Sequence, residues 1–244
     1  LNQYFGTDGI DLDWEYPTIA GYPEHKYQAA DKENFTKLVK QLRKTLGKEK
    51  EISFAAGGFN HYIEEAVEWK KIMKELDRVN LMTYDLVHGF STTTGHHTPL
   101  YSTRQQTESI NNAVEKLIAL KVPKEKIVIG AAFYGRMWEA VPDTNTGLYQ
   151  KGKFKTSIAF KNFASQLSVD TGFVYYWDET AMAPYLYNSK RQLFVTYDDK
   201  KSMALKTKYA IEKGLGGIMF WELTEDTYNN GLLEVIDESR SMFK

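Results

Sequence analysis

Residues 8–17 read Asp-Gly-Ile-Asp-Leu-Asp-Trp-Glu-Tyr-Pro, and this run constrains the fold more than any other part of the chain. Side chains alternate faces along a strand. As a strand, the run puts Asp11, Asp13 and Glu15 on one face and Ile10, Leu12 and Trp14 on the other. The apolar face asks for a layer of helices. The acidic face asks for a function, because like charges about 7 Å apart at an effective dielectric near 20 repel by roughly 2.4 kcal/mol per pair. Such acids titrate as a coupled set, and at least one is expected to hold its proton near neutral pH. A carboxylic acid kept protonated is what general-acid catalysis requires. Two other arrangements give the same pattern: a solvated edge strand with its acids facing water, or a carboxylate site for Mg²⁺ or Ca²⁺. No phosphate-binding loop accompanies the acids, and neither metal nor cofactor is expected.

The rest of the chain supplies the partners such a strand needs. Short apolar runs at 9–13, 52–56, 79–83, 127–133 and 217–221 read as strands. Helical patterns occupy 34–46, 66–76, 107–120, 203–213 and 232–239. Strand alternating with helix implies parallel βαβ units. One connection breaks the rhythm. About 80 residues separate Tyr134 from Leu215, far beyond a short link plus a helix. Residues 138–198 hold 13 aromatics, with alternating runs at 172–177 and 192–197 and a helix-like stretch at 159–166, so they read as a small α+β insertion.

Net charge is −1, so no electrostatic footprint for nucleic acid or an anionic membrane is visible. No apolar run reaches the length of a membrane span. There are no cysteines, which excludes disulfide and thiolate chemistry. His88, His96 and His97 read as polar loop residues. The sequon at Asn34 opens a helix and is assigned no role.

Asp8, Asp11, Asp13 and Glu15 fill every acidic position of the DxxDxDxE signature, and the segment resembles that of family 18 glycoside hydrolases, the chitinases and their relatives. Met82-Thr83-Tyr84-Asp85 is similar to the family's MxYD at the end of its sixth barrel strand. Tyr134-Gly135-Arg136 resembles the end of the seventh strand, and residues 216–221 resemble the eighth, ending in Trp221. Residues 184–185 and 197–199 are similar to the insertion domain of one branch. The likeness runs from Asp8 to about Asp226.

The resemblance implies a partial (β/α)8 TIM barrel, strands four to eight, with the insertion between strands seven and eight. The barrel portion is expected at 1–137 and 199–244 and the insertion at 138–198. Residues 1–6 read as the end of a helix running into a strand. Five strands cannot close an eight-stranded barrel, so the remaining portion is expected from upstream sequence or another chain.

The resemblance also implies retaining hydrolysis of β-1,4-linked N-acetylglucosamine in chitin or chitooligosaccharides, assisted by the substrate, in a secreted or periplasmic setting. Glu15 is then the acid. Asp13 orients the acetamido group and Asp11 shares its proton. Tyr84 donates to the acetamido oxygen. Asp85, Met82, Tyr134, Arg136 and Trp221 bind substrate. Trp138, Tyr175, Tyr176 and Trp177 line a deeper cleft or form the insertion's own core. An endo-β-N-acetylglucosaminidase acting on N-glycans and a non-cutting, chitin-binding lectin are the other readings.

Overall fold

The computed structural model describes residues 2–243. Its elements in chain order are α1 (Asn2–Phe5), β1 (Gly9–Asp13), α2 (Asp31–Leu46), β2 (Glu51–Gly57), α3 (Asn60–Glu65), α4 (Trp69–Ile72) and β3 (Arg78–Met82). There follow α5 (Ile110–Ala119), β4 (Ile127–Ala132), β5 (Tyr134–Glu139), β6 (Lys153–Ala159), α6 (Phe163–Gln166), β7 (Val174–Asp178), β8 (Ala183–Asn188) and β9 (Leu193–Thr196). The chain ends with α7 (Lys200–Lys213), β10 (Gly217–Trp221) and α8 (Leu232–Met242).

The strands make two sheets. One is parallel, in the order β1-β2-β3-β4-β10, and its five strands are the five expected from the apolar runs. Its central members β2 and β4 are almost wholly buried, which is why they read as unbroken apolar runs. Phe35 and Val39 of α2, Trp69 and Ile72 of α4, and Val114 and Leu117 of α5 pack with Ile52, Phe54, Val79 and Ile129 in one core on the helix side. The helix boundaries follow local chemistry. Ser109 caps α5 by accepting from the Asn112 amide, and Asp199 and Ser202 form a reciprocal box at the start of α7. Gly214 ends α7 in the left-handed conformation, where a side chain is disfavoured.

The second sheet is antiparallel, in the order β6-β5-β9-β8-β7. It is covered on both faces. Met137, Ile158, Leu186 and Val195 pack on one side, and Trp138, Tyr185, Tyr187 and Phe194 on the other. Double coverage explains why β8, buried throughout, shows no alternation in the sequence. Among the described residues no helix is long and apolar enough to cross a membrane.

Several expectations are corrected. Of the helix expected at 66–76 only the short α4 (Trp69–Ile72) forms, because Glu68 has non-helical φ and ψ and separates it from α3, which ends at Glu65. Ala159 ends β6, and the helix-like stretch after it begins with a 3-10 turn. The fourth parallel strand stops at Ala132, and Tyr134 to Arg136 already belong to β5. The switch occurs at Phe133, whose N–H donates to Trp221 O while its own carbonyl accepts from Phe160 N. Finally, β1 is not buried on both faces. Among the described residues it pairs only with β2, and Ile10 and Leu12 are half-buried.

Candidate active site

Register decides which side chains meet on the face of the parallel sheet away from its helices. Asp11 stands opposite Ser53 and Asp13 opposite Ala55. Ala55 stands opposite Asn80, and Gly57 opposite Met82. On the far side, Met219 and Trp221 pair with Gly130 and Ala132. Asp11, Asp13, Ala55, Asn80, Met82, Met219 and Trp221 therefore share one cavity of about 440 Å³. Glu15, Tyr84, Asp85, Tyr134, Arg136, Ser157 and Glu225 complete its lining. Every residue predicted for the site lies in it, Asp11 from the middle of β1 and the others at or just beyond the C-terminal ends of the parallel strands.

The three acids differ in their surroundings. Asp11 Oδ1 accepts from Ser53 Oγ at 2.6 Å and from Asn80 Nδ2 at 2.9 Å, which fixes its carboxylate on the sheet. All three are exposed residues at this edge of the sheet; partial burial of its carboxyl, and then the charge of Asp11, push Asp13 above its ordinary value. Glu15 is also pushed up, by burial first and by the charges of Asp13 and Asp85; nearby Tyr16 and His25 pull the other way. His25 Nδ1 lies 3.1 Å from Glu15 O, and a Cβ on Gly21 would fall 2.0 Å from that same carbonyl. Only glycine lets the following loop close back on Glu15. The peptide bonds Glu15–Tyr16 and Trp221–Glu222 are cis.

Across the cavity, Asp85 sits in the left-handed region at φ 55 and is gripped by Arg136 of β5. Arg136 Nε donates to Asp85 Oδ1 at 2.7 Å, and Nη2 donates to Oδ2. Burial alone would raise Asp85, but His97 and Arg136 outweigh it and hold the carboxyl below its ordinary range. Arg136 also donates to Ser157 Oγ at 2.8 Å and lies over the Tyr134 ring, 5.1 Å from its centroid. Tyr84 meets Tyr134 edge to face at 6.2 Å, and its hydroxyl points to Met219 Sδ at 3.8 Å. Burial raises the Tyr84 hydroxyl well above its ordinary value, so it remains a donor. A Cβ on Gly130 would lie 2.8 Å from the Tyr84 ring, so this strand must be bare there. Trp221 is 54% exposed, an apolar surface open to the cavity.

A second hollow of about 670 Å³ shares Glu15, Met82, Tyr84, Asp85 and Arg136 with the first. It extends towards Tyr16, Tyr22, Phe59, His88, Phe90 and Phe154. Among the described residues no group of three or more His, Asp or Glu side chains is arranged to hold a metal ion.

Sequence reasoning missed Ser53, Asn80, Ser157, Met219 and Glu225. Ser53, Asn80, Ser157 and Met219 are single residues whose partners are chosen by cross-strand register, and Glu225 is brought in by the turn after β10. The histidines are corrected: His96 and His97 are fully buried, His96 against Asp178 at 3.0 Å and His97 behind Asp85. The deeper-cleft reading of four aromatics is also corrected. Trp138 is fully buried and donates to Ser91 O, Tyr176 stacks on Tyr185, Trp177 lies under Lys201, and Tyr175 reaches Asp199. None of them lines either hollow.

Comparison with known proteins bears on the family and the fold. The model of Glycosyl hydrolases family 18 matches residues 1–226. Chitinase A1 of Niallia circulans is 33% identical over 91% of this chain and 35% of its own length. Probable chitinase 2 of Drosophila melanogaster is 31% identical over 92% of this chain and 48% of its own. The chain thus spans between a third and a half of these relatives. Among solved structures, chitinase ChiA74 from Bacillus thuringiensis superposes with a TM-score of 0.91 at 32% identity, covering 98% of this chain and 44% of that one. A family 18 N-acetylglucosaminidase from Paenibacillus barengoltzii superposes at 0.87 with 39% identity, covering 97% and 72%.

Proposed function

From the premise that this chain belongs to glycosyl hydrolase family 18, with the TIM-barrel-like α/β fold of its structural neighbours, we propose that it hydrolyses β-1,4-linked N-acetylglucosamine polymers, chitin or chitooligosaccharides, with retention and with the substrate's help. The observation that carries this reading is the placement of Glu15. Its raised carboxyl borders both hollows, so a sugar chain running through them passes its proton.

Glu15 gives that proton to the glycosidic oxygen as the bond to the anomeric carbon breaks. The sugar's own acetamido carbonyl forms the new bond to that carbon, leaving an oxazolinium ion. No enzyme nucleophile is required, the exception to the two-carboxylate scheme. Water, losing a proton to Glu15, then opens the ring. Asp13 faces the acetamido N–H and offsets the positive charge, with Asp11 sharing its proton. Tyr84 donates to the acetamido oxygen. Asp85 takes a sugar hydroxyl, and Tyr134 and Arg136 fix the same side. Met82 and Trp221 form an apolar floor for the sugar's C–H face.

In this reading the parallel sheet corresponds to strands four to eight of a (β/α)8 barrel, and the antiparallel sheet, which begins at Tyr134 and not at the expected 138, is the insertion between strands seven and eight. Among the described residues β1 and β10 each pair on one side only, which supports further strands from upstream sequence or another chain closing the sheet. A monodisperse, active monomer of 28.1 kDa in size-exclusion chromatography with intact mass would count against that closure. Secreted or periplasmic action goes with a polymeric substrate of this kind.

A thiazoline analogue of the oxazolinium tests the chemistry: competitive inhibition is expected, and indifference to it rules out substrate assistance. A second reading, release of single N-acetylglucosamine units, is favoured by the 39% identity to the Paenibacillus N-acetylglucosaminidase. Early products from a chitohexaose digest separate the two. Cleavage of a high-mannose glycopeptide in preference to chitin oligosaccharides would replace both.

A further inference from the structure

His97 is an unexplained buried base beside the site. It is fully buried, and neither ring nitrogen has a hydrogen-bond partner. Leaving such groups without partners costs stability, so their survival asks for a reason. Its Nδ1 lies 3.7 Å from Asp85 Oδ1, just beyond hydrogen-bonding distance. A movement of a few tenths of an ångström by Asp85 would close that gap.

The backbone around His97 is fixed on both sides. Its N–H donates to Thr196 Oγ1 of β9 at 3.0 Å, and its carbonyl accepts from Leu86 N, the residue after Asp85, at 2.9 Å. Neighbouring Thr98 donates to Thr83 O and accepts from the buried Lys206 Nζ at 2.7 Å, which in turn grips Asp198. The ring leans on Tyr134, with centroids 5.3 Å apart. His97 is thus fixed through its backbone and its buried ring. The Asp85 side chain is 31% exposed and lines the cavity, with Arg136 on its other side.

We infer that His97 is a positioning residue for Asp85: its Nδ1–H is a fixed second donor that takes the carboxylate whenever a sugar hydroxyl draws Arg136 away. This rests on the reading of Asp85 as a sugar-binding residue. Burial lowers the His97 ring below its ordinary value, outweighing the pull of Asp85 and Asp198, so the ring acts as a neutral donor. The groups facing Asp85 are Arg136 and Tyr134 of β5, Glu15, Tyr16, Tyr84, His88 and His97; those facing His97 are Asp85, Asp198 and Arg136.

The test compares His97→Leu with His97→Asn in the full-length protein. Asparagine returns a donor near the Nδ1 position and leucine returns only bulk. With chitotetraose, leucine is expected to raise KM about tenfold, the worth of one charge-assisted hydrogen bond, and to move the acid limb of kcat/KM to higher pH. Asparagine is expected to restore both. Equal impairment in the two variants, or wild-type KM and acid limb in both, overturns the assignment. A readout without substrate covers the case of a leucine variant that does not fold, or a wild type that cuts no chitin oligosaccharide. In ¹⁵N-histidine spectra of the wild type, a proton on His97 Nδ1 is expected, and a bare Nδ1 overturns the inference.

Discussion

Arg136 and Asp85 join the two sheets at the site: Asp85 follows β3 of the parallel sheet, Arg136 stands on β5 of the antiparallel one, and Nε meets Oδ1 at 2.7 Å. The bidentate contact is thus both a piece of the site and a tie between layers. Planar guanidinium geometry suits it, and lysine would not reproduce it.

Replacing Arg136 with leucine should cost about 2 kcal/mol at neutral pH, the scale of hydrogen bonds to a charged group. The sign with pH follows from Asp85. Its carboxyl is held below its ordinary value in the folded protein, so the stabilisation is present above the unfolded value near 4 and disappears as pH falls through the folded one. Urea melts at several pH values should show the wild-type advantage shrinking below about pH 4. A gap independent of pH would mean that Arg136 stabilises by packing alone.

Glu15→Gln should slow hydrolysis of chitooligosaccharides by at least about a hundredfold, the scale of a lost general acid, while leaving oligosaccharide binding intact. Calorimetry beside a turnover assay distinguishes loss of chemistry from loss of binding. Turnover at the wild-type rate removes Glu15 from the mechanism.

The charge of Asp13 helps to hold Glu15 above its ordinary value. A raised acid stays protonated to higher pH, so activity should fall on the alkaline side as Glu15 finally ionises. Asp13→Asn removes that negative charge, and the alkaline limb of the rate profile should move to lower pH even though the overall rate also drops. An unmoved limb would show that burial, not Asp13, sets the acidity of Glu15.

Lys206 and Asp198 form an ion pair with each side chain 1% exposed, N to O 2.6 Å. Asp198 also accepts from Ser202 Oγ at 2.7 Å and lies 3.3 Å from Ala132 N, so it links α7 to the end of β4. Lys206→Met strands a buried carboxylate and should destabilise by about 3–5 kcal/mol. The double variant Lys206→Met, Asp198→Leu should recover much of that loss. Thermal melts of the three proteins check both statements.

The boundary between what could be read and what could not follows the range of the interactions. The parallel strands were legible because central strands buried on both faces make unbroken apolar runs, as in β2 and β4. β8 was not legible, because two cores cover it and erase alternation. Ser53 and Asn80 were invisible as anchors of Asp11. Nothing local distinguishes a serine or an asparagine that faces an acid 42 or 69 residues away.

By itself, the order of residues 8–17 determined that Asp11 and Asp13 share one face, since strand periodicity is a property of the backbone; β1 ends at Asp13, and Glu15 reaches the same cavity from the bend beyond it. The sequence also marked Tyr84-Asp85 and Trp221 through their likeness to a family. Tertiary structure alone decided the rest. Parallel register set Asp11 against Ser53, the switch at Phe133 carried Arg136 to Asp85, and the loop before α5 buried His97 behind it. Charges act through space, so the acidity of the acids and the grip on Asp85 depend on neighbours that only folding brings near.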